Sequence, residues 1–258
     1  MYQSSYLSRT SGRMLLTGLA LICAVASAQA QSSADVREAQ RLARVAQVAR
    51  QQGRLDDAIR AYQTIAIVAK SSPAIAANAH LSAGNIYMAL GKYEEAAVAF
   101  RSSLSLDANS AEAQNNLGEA LGELKQFPRA LEAFQRAVAL DGRFLKARYN
   151  MGVTYDHMGQ LKYAEFVYRI LIRDFPDFVL AYDSLAVTLS KSGRAREAIA
   201  LHEKAIRLDA KEPSFYYNFA VSYLMLGDTK RAREQQQRLR NLDPAMAEHL
   251  AMVIAKHQ

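Results

Sequence analysis

Ala111–Phe144 reads AEAQNNLGEALGELKQFPRALEAFQRAVALDGRF. Within it Gly118 is followed twelve residues later by Ala130, and then by Phe134 and Ala137. The pattern returns 34 residues back as Gly84, Ala96 and Phe100, and 34 residues on as Gly152, Ala164 and Tyr168. Two more steps give Ala186, Ala198 and His202, then Ala220, Ala232 and Gln236. A fixed period in the range of about 20–50 residues marks a stacked array of supersecondary units, each too small to bury its apolar face alone.

The units are helical. Val36, Ala39, Leu42, Ala43, Ala46 and Ala49 recur at the spacing of one helix face, and no useful β alternation occurs anywhere in the chain. Gly53, Gly91, Gly159, Gly193 and Gly227 recur where one helix should end and the next begin, with Lys125 in that slot in the quoted stretch. Pro128 follows near the first turn of a helix, where a missing N–H costs nothing. Asp107, Asp141, Asp209 and Asp243 recur at the joints between units, where Asp suits turns and caps; Asp174-Phe175-Pro176 serves one joint differently. Asp35 is expected to cap the first helix, and Ser71-Ser72-Pro73 reads as the one irregular joint.

These residues resemble the tetratricopeptide repeat, a 34-residue helix–turn–helix unit. In Leu145–Phe178 its slots hold Met151-Gly152, Tyr155, Gly159, Ala164, Tyr168, Leu171 and Pro176. An earlier copy uses Leu42, Ala46, Gly53, Leu55, Ala58 and Tyr62 and is followed by four extra residues, Pro73–Ala76. The resemblance implies an all-α, right-handed α-solenoid. Its six repeats span 39–72, 77–110, 111–144, 145–178, 179–212 and 213–246. Residues 31–38 are a linker and the start of the first helix, and a capping helix opens at Asp243-Pro244, with 247–258 as its remainder. The small residues Ala46, Gly84, Gly118, Gly152, Ala186 and Ala220 are expected to let the first helix of each unit approach the second. Ala58, Ala96, Ala130, Ala164, Ala198 and Ala232 stand on the second helix at the same crossing.

The N-terminus differs from the rest. Arg9 and Arg13 precede the apolar run Met14–Ala26, and Ala26-Ser27-Ala28 and Ala28-Gln29-Ala30 both fit small-x-small cleavage sites. This reads as a signal peptide over residues 1–30, cut after Ala28 or Ala30, and implies a periplasmic or secreted chain with no membrane span after cleavage. Cleavage removes Cys23, the only cysteine, so disulfide and thiol chemistry are not expected of the mature chain. It takes the formal net charge from +7 to +5, since Arg9 and Arg13 go and no acid does. That mild excess does not mark a polyanion binder, although Lys230, Arg231, Arg233, Arg238 and Arg240 concentrate charge near one end and Arg37, Arg41, Arg44, Arg50 and Arg54 near the other.

No catalytic constellation stands out. None of His80, His157, His202, His249 and His257 lies four residues from another, the spacing that places two metal ligands on one helix face. His80 and His202 occupy slots of large packing residues. Glu119 and Glu123 read as a solvated groove wall. No enzyme activity, metal or cofactor is expected.

What the family resemblance adds is a groove lined by the first helix of each repeat. Its sixth slot holds Asn116, Asn150, Ser184 and Asn218, its fifth Asn115, Tyr149, Asp183 and Tyr217. An Asn ladder at the matching slot binds peptide backbone in repeats of the O-linked N-acetylglucosamine transferase type, and a carboxamide both donates and accepts. Asn85, Asn116 and Lys146 match three positions of the carboxylate clamp of chaperone-binding repeats. Leu81 and Asn150 replace the basic pair that the clamp also needs, which argues against a chaperone partner. The expectation is a non-catalytic scaffold for a peptide or protein segment, bound at Asn85, Asn115, Asn116, Lys146, Tyr149, Asn150, Asp183, Ser184, Tyr217 and Asn218. These side chains are expected to face solvent when the groove is empty. The alternatives are an adaptor of pilus or secretion machinery, and an anionic-surface or nucleic-acid-binding module.

Overall fold

The computed structural model describes residues 33–257. The expected signal peptide and Cys23 lie outside the described residues. Within them the chain is all-α, helices joined by short turns, the fold expected of a tetratricopeptide solenoid. Contacts divide it into two compact units, one running to Ala113 and one from Gln114.

In the first unit, α1 covers residues 33–51 of the described chain. It is followed by α2 (Leu55–Val68), α3 (Pro73–Ala89) and α4 (Tyr93–Leu106). Asp35 lies inside α1 rather than capping it. The four extra residues Pro73–Ala76 do not make an irregular joint. They lengthen α3 by a turn, with Pro73 opening the helix where its absent N–H is no loss. The core alternates Ala with Ile: Ala39, Ile65, Ala69 and Ala79 form one cluster, and Ala49, Ala58, Ile59 and Ile86 another.

α5 (Ala111–Glu123) carries the boundary between the units. The second unit continues with α6 (Phe127–Leu140), α7 (Leu145–His157), α8 (Leu161–Asp174), α9 (Val179–Lys191), α10 (Ala195–Leu208), α11 (Pro213–Met225), α12 (Thr229–Arg240) and α13 (Pro244–Ala255). Ile254 of α13 is buried with Tyr216, Phe219, Ala232 and Leu250, so the last helix closes the core with a large residue where earlier repeats hold small ones.

The turn slots behave as the sequence implies. The five joint glycines have φ between +69° and +78°, the left-handed region that ends a helix. Lys125, standing in for glycine, is forced to φ +57°, a conformation that costs a side chain about 1–2 kcal/mol. Asp107, Asp141 and Asp209 each follow a helix and accept the amide two residues on, while Asp243 caps α13 through the Met246 amide. Tyr182 and Tyr216 donate back to the carbonyls of Pro176 and Ala210, tying α9 and α11 to their joints.

The glycines of the small slot serve a purpose other than close backbone approach. A Cβ on Gly84, Gly118 or Gly152 would fall 2.5, 2.5 and 2.4 Å from the ring of Phe100, Phe134 and Tyr168, the residue sixteen positions further on in each case. The glycine is the floor on which that buried ring lies. The Ala set on the second helix is buried throughout.

Candidate functional site

Three helices of equal length build the site. α7, α9 and α11 each present their fifth and sixth repeat slots side by side: Tyr149 and Asn150, Asp183 and Ser184, Tyr217 and Asn218. The slots are knitted together at a constant offset. Asn150 Nδ2 donates to Asn115 Oδ1 at 3.1 Å, the hydroxyls of Ser184 and Tyr149 meet at 3.1 Å, and Asn218 Nδ2 donates to Asp183 Oδ2 at 2.7 Å. In each pair the sixth-slot residue bonds to the fifth-slot residue of the preceding repeat, 35 positions earlier.

This corrects the expectation that the groove side chains stand free in solvent. Asn115 is fully buried, Asp183 is buried, and Asn150, Ser184 and Asn218 are half-buried. Stacked helices bring these polar groups too close together to remain hydrated, and a buried polar group left unpaired costs more than a bond gains.

Glu119 is more than a solvated wall. Its Oε1 receives Asn115 Nδ2 at 2.8 Å, Asn150 Nδ2 at 2.9 Å and Lys146 Nζ at 2.7 Å. Asn115 also donates to Asn116 Oδ1. Lys146 is therefore held by a carboxylate of its own chain, while its side chain stays exposed. Tyr217 stacks on His249, and its hydroxyl lies 3.1 Å from the imidazole Nδ1. Tyr149 meets Phe178 edge to face. Burial, partly offset by the bond to Ser184, pushes the Tyr149 phenol above its usual pKa, so it remains a donor at neutral pH. Asn85 is exposed on α3, in the first unit.

Between α7, α9 and α11 lies a cleft of about 310 Å³. Tyr149, Val153, Leu180, Val187 and Phe215 give it apolar walls; Asp156, Asp183 and Lys191 bring charge to it, and His157 an imidazole. Asp156 accepts from Thr188 at 2.7 Å and from Tyr168 at 3.4 Å, both at Oδ2. Burial and the neighbouring Asp156 carboxylate hold the Tyr168 phenol far above its usual range. Asp156, Lys191 and His157 were not among the residues expected here. They sit about two turns beyond the fifth and sixth slots on α7, and at the end of α9.

Beneath the cleft a polar chain runs into the core. Asp183 Oδ1 lies 2.9 Å from His202 Nδ1, His202 Nε2 lies 2.9 Å from Ser222 Oγ, and Ser222 Oγ lies 2.8 Å from Ser190 Oγ. The order carboxylate, imidazole, hydroxyl is that of an acid–base relay. Its setting is different: His202 is 0 % exposed and Ser222 1 %, so a substrate has no access to the hydroxyl. Ser222 Oγ is also 3.1 Å from the Asn218 carbonyl, and His202 stacks on Phe219. The packing role expected for His202 is met, with hydrogen bonds that sequence spacing did not reveal.

Tetratricopeptide-repeat family models match residues 84–125, 111–144, 146–177 and 189–256. No curated protein matches the sequence. Among solved structures, the crystal structure of MamA is 32 % identical, with a TM-score of 0.59, over 65 % of this chain and 95 % of that one. PilW, a type IV pilus biogenesis factor, is 24 % identical with a TM-score of 0.70, over 84 % of this chain and 98 % of that one. YrrB, described as a repeat protein with an unusual peptide-binding site, is 18 % identical with a TM-score of 0.53, over 68 % of this chain and 92 % of that one. The helix pairs, the glycine-ended joints and these matches agree: the chain belongs to the tetratricopeptide repeat family.

Proposed function

We propose that the second unit binds an extended segment of a partner protein along the face made by α7, α9 and α11, and that the chain is a non-catalytic scaffold of the bacterial envelope. The observation that carries this reading is the run of paired polar groups at a 35-residue offset beside an open cleft with aromatic walls. Amides and hydroxyls repeated at the helix-to-helix spacing suit a regularly repeating ligand, and a peptide backbone is one. Asn150, Ser184 and Asn218 are half-buried, and each is bonded to the neighbouring repeat, Asn150 twice. The likeness to PilW and YrrB supports the fold alone, so a role in pilus assembly does not follow from it.

The test uses fluorescent decapeptides, N-acetylated and C-amidated, screened against the purified chain. Asn116→Ala/Asn150→Ala/Asn218→Ala should lose about one to three decades of affinity for whichever peptides bind, at roughly 0.5–1.5 kcal/mol for each net hydrogen bond. Because Asn150 and Asn218 also join repeats, its melting temperature should fall. Ile199→Val, a core change of similar cost away from the groove, serves as the stability-matched control and should keep its affinity. Unchanged affinity in the triple variant would move the binding surface elsewhere.

The envelope assignment rests on Arg9, Arg13, the apolar run Met14–Ala26 and the two Ala-x-Ala sites. Among the described residues no helix is long and apolar enough to cross a membrane. Intact mass of the chain recovered from a periplasmic fraction should show a start at Gln29 or Gln31; recovery of Met1 in the membrane fraction would favour a retained anchor.

A further inference from the structure

We propose that the cleft between α7, α9 and α11 is a subsite for one cationic side chain, lysine or arginine, of the bound segment, with Asp156 as its acceptor. The proposal rests on the groove reading above and gives it a specificity.

Size comes first. At about 310 Å³ the cleft stands at the lower end of the roughly 300–1,000 Å³ typical of small-molecule sites. A single long side chain fills it better than a cofactor would. The apolar walls of Val153, Leu180, Val187 and Phe215 suit an aliphatic stem, and Asp156 in the same lining offers a carboxylate to its charged head.

Acceptor chemistry decides the charge. Both Asp183 oxygens are filled, one facing His202 and the other receiving Asn218. Asp156 differs. Its Oδ2 is occupied by Thr188 and Tyr168, but its Oδ1 is buried and receives no hydrogen bond. Lys191 Nζ, the cation paired with it among the described residues, stands at 3.6 Å, too far to donate a hydrogen bond. The Asp156 side chain is 11 % exposed and that of Lys191 47 %. A carboxylate oxygen is thus held in the wall of the cleft, beside a half-exposed lysine from the end of α9. A buried charged acceptor without a donor is costly. An incoming ammonium or guanidinium that reaches Oδ1 supplies the missing bond and lets Lys191 swing into solvent. An acidic side chain would do the reverse, drawing Lys191 away and leaving Asp156 with no counter-charge. His157, the other basic group here, is exposed at the rim and stacked on Phe127.

The test is a positional-scanning set of the same capped decapeptides, each position fixed in turn as Arg, Lys, norleucine, Glu or Asp, read by fluorescence anisotropy. At one position the wild-type chain should prefer Arg or Lys over norleucine by about tenfold. Asp156→Asn should reduce that preference to about twofold or less. Lys191→Met alters an exposed residue and should fold normally; it should keep or strengthen cation binding, by up to about threefold, because it removes the resident competitor. A preference for Glu or Asp that Lys191→Met abolishes would overturn the proposal and make Lys191 the ligand-binding group. Absence of any charge preference, with binding still lost in the triple Asn variant, would overturn the subsite and leave the groove reading intact. Binding insensitive to the Asn residues would overturn both.

Discussion

Gly152→Val is expected to destabilise the second unit by about 3 kcal/mol, whereas Gly122→Ala should stabilise it by about 0.5–1 kcal/mol. Both glycines sit within helices. Around Gly122 nothing lies within 4 Å of a built Cβ, so alanine there gains helix propensity and meets nothing. At Gly152 the added Cβ would lie 2.4 Å from Tyr168 Cε1 and 2.8 Å from Cζ. The ring has no room to retreat. It is 1 % exposed, packed in a cluster with Ala164, Leu171 and Leu185, and its hydroxyl points to Asp156. For a chain of this size about 3 kcal/mol corresponds to roughly 6–12 °C in melting temperature. Thermal melts of the two variants beside wild type check it, and equal shifts in the same direction would sink the account of rings seated on glycines.

That account is written in the chain once the pairing is known. Where Phe100, Phe134 and Tyr168 are buried, the residue sixteen places earlier is Gly. Where the later residue is His202 or Gln236, the earlier one is Ala186 or Ala220. Ala46 precedes Tyr62, which packs against the core but is only half-buried. The 34-residue period made the helix pairs, their joints and the positions of the small residues legible, because each follows from local spacing. It did not reveal what fills the space above a glycine. A missing side chain is equally compatible with close backbones and with an inserted ring, and only the three-dimensional register separates them. Nor could counting show that Pro73–Ala76 continue a helix, since an insertion of four residues fits an extra turn as well as a loop.

The positions of the polar groups were legible to the same degree. Slots five and six are where the structure places the polar groups of α7, α9 and α11. What sequence could not supply was their pairing, since each bond joins residues 35 positions apart on different helices. The expected free ladder was in fact an occupied one. Glu119 had the right position, but only the stacked helices bring Asn115, Asn150 and Lys146 to the same oxygen. Asp156 and Lys191 escaped notice for a similar reason: separately each is an ordinary charged helix residue, and 35 positions of sequence lie between them.

The second large effect is expected at His202. His202→Leu should cost about 1–3 kcal/mol, the range for leaving a buried acceptor without its hydrogen-bond partner. Leucine suits the space left by the imidazole, so the loss is polar rather than a cavity. Ser222 keeps its contacts with the Asn218 carbonyl and with Ser190. Asp183 does not fare as well: its Oδ1 faced His202 alone, and the carboxylate is 7 % exposed. Water reaches it poorly, and its remaining bond is the one from Asn218. Removing the stranded charge as well should therefore help. Asp183→Leu/His202→Leu is expected to be more stable than His202→Leu alone, because replacing both members of a buried pair by apolar groups is far less costly than orphaning one. Denaturant unfolding followed by circular dichroism orders the three proteins. A single variant as stable as wild type, or a double variant less stable than the single, would show that the Asp183–His202 contact carries no such energy. The consequence reaches the groove. Asn218 is oriented by Asp183, and Asp183 by a histidine that no ligand touches. His202→Leu, assayed below its melting temperature, should thus weaken peptide binding along with Asn218→Ala, while Ile199→Val does not.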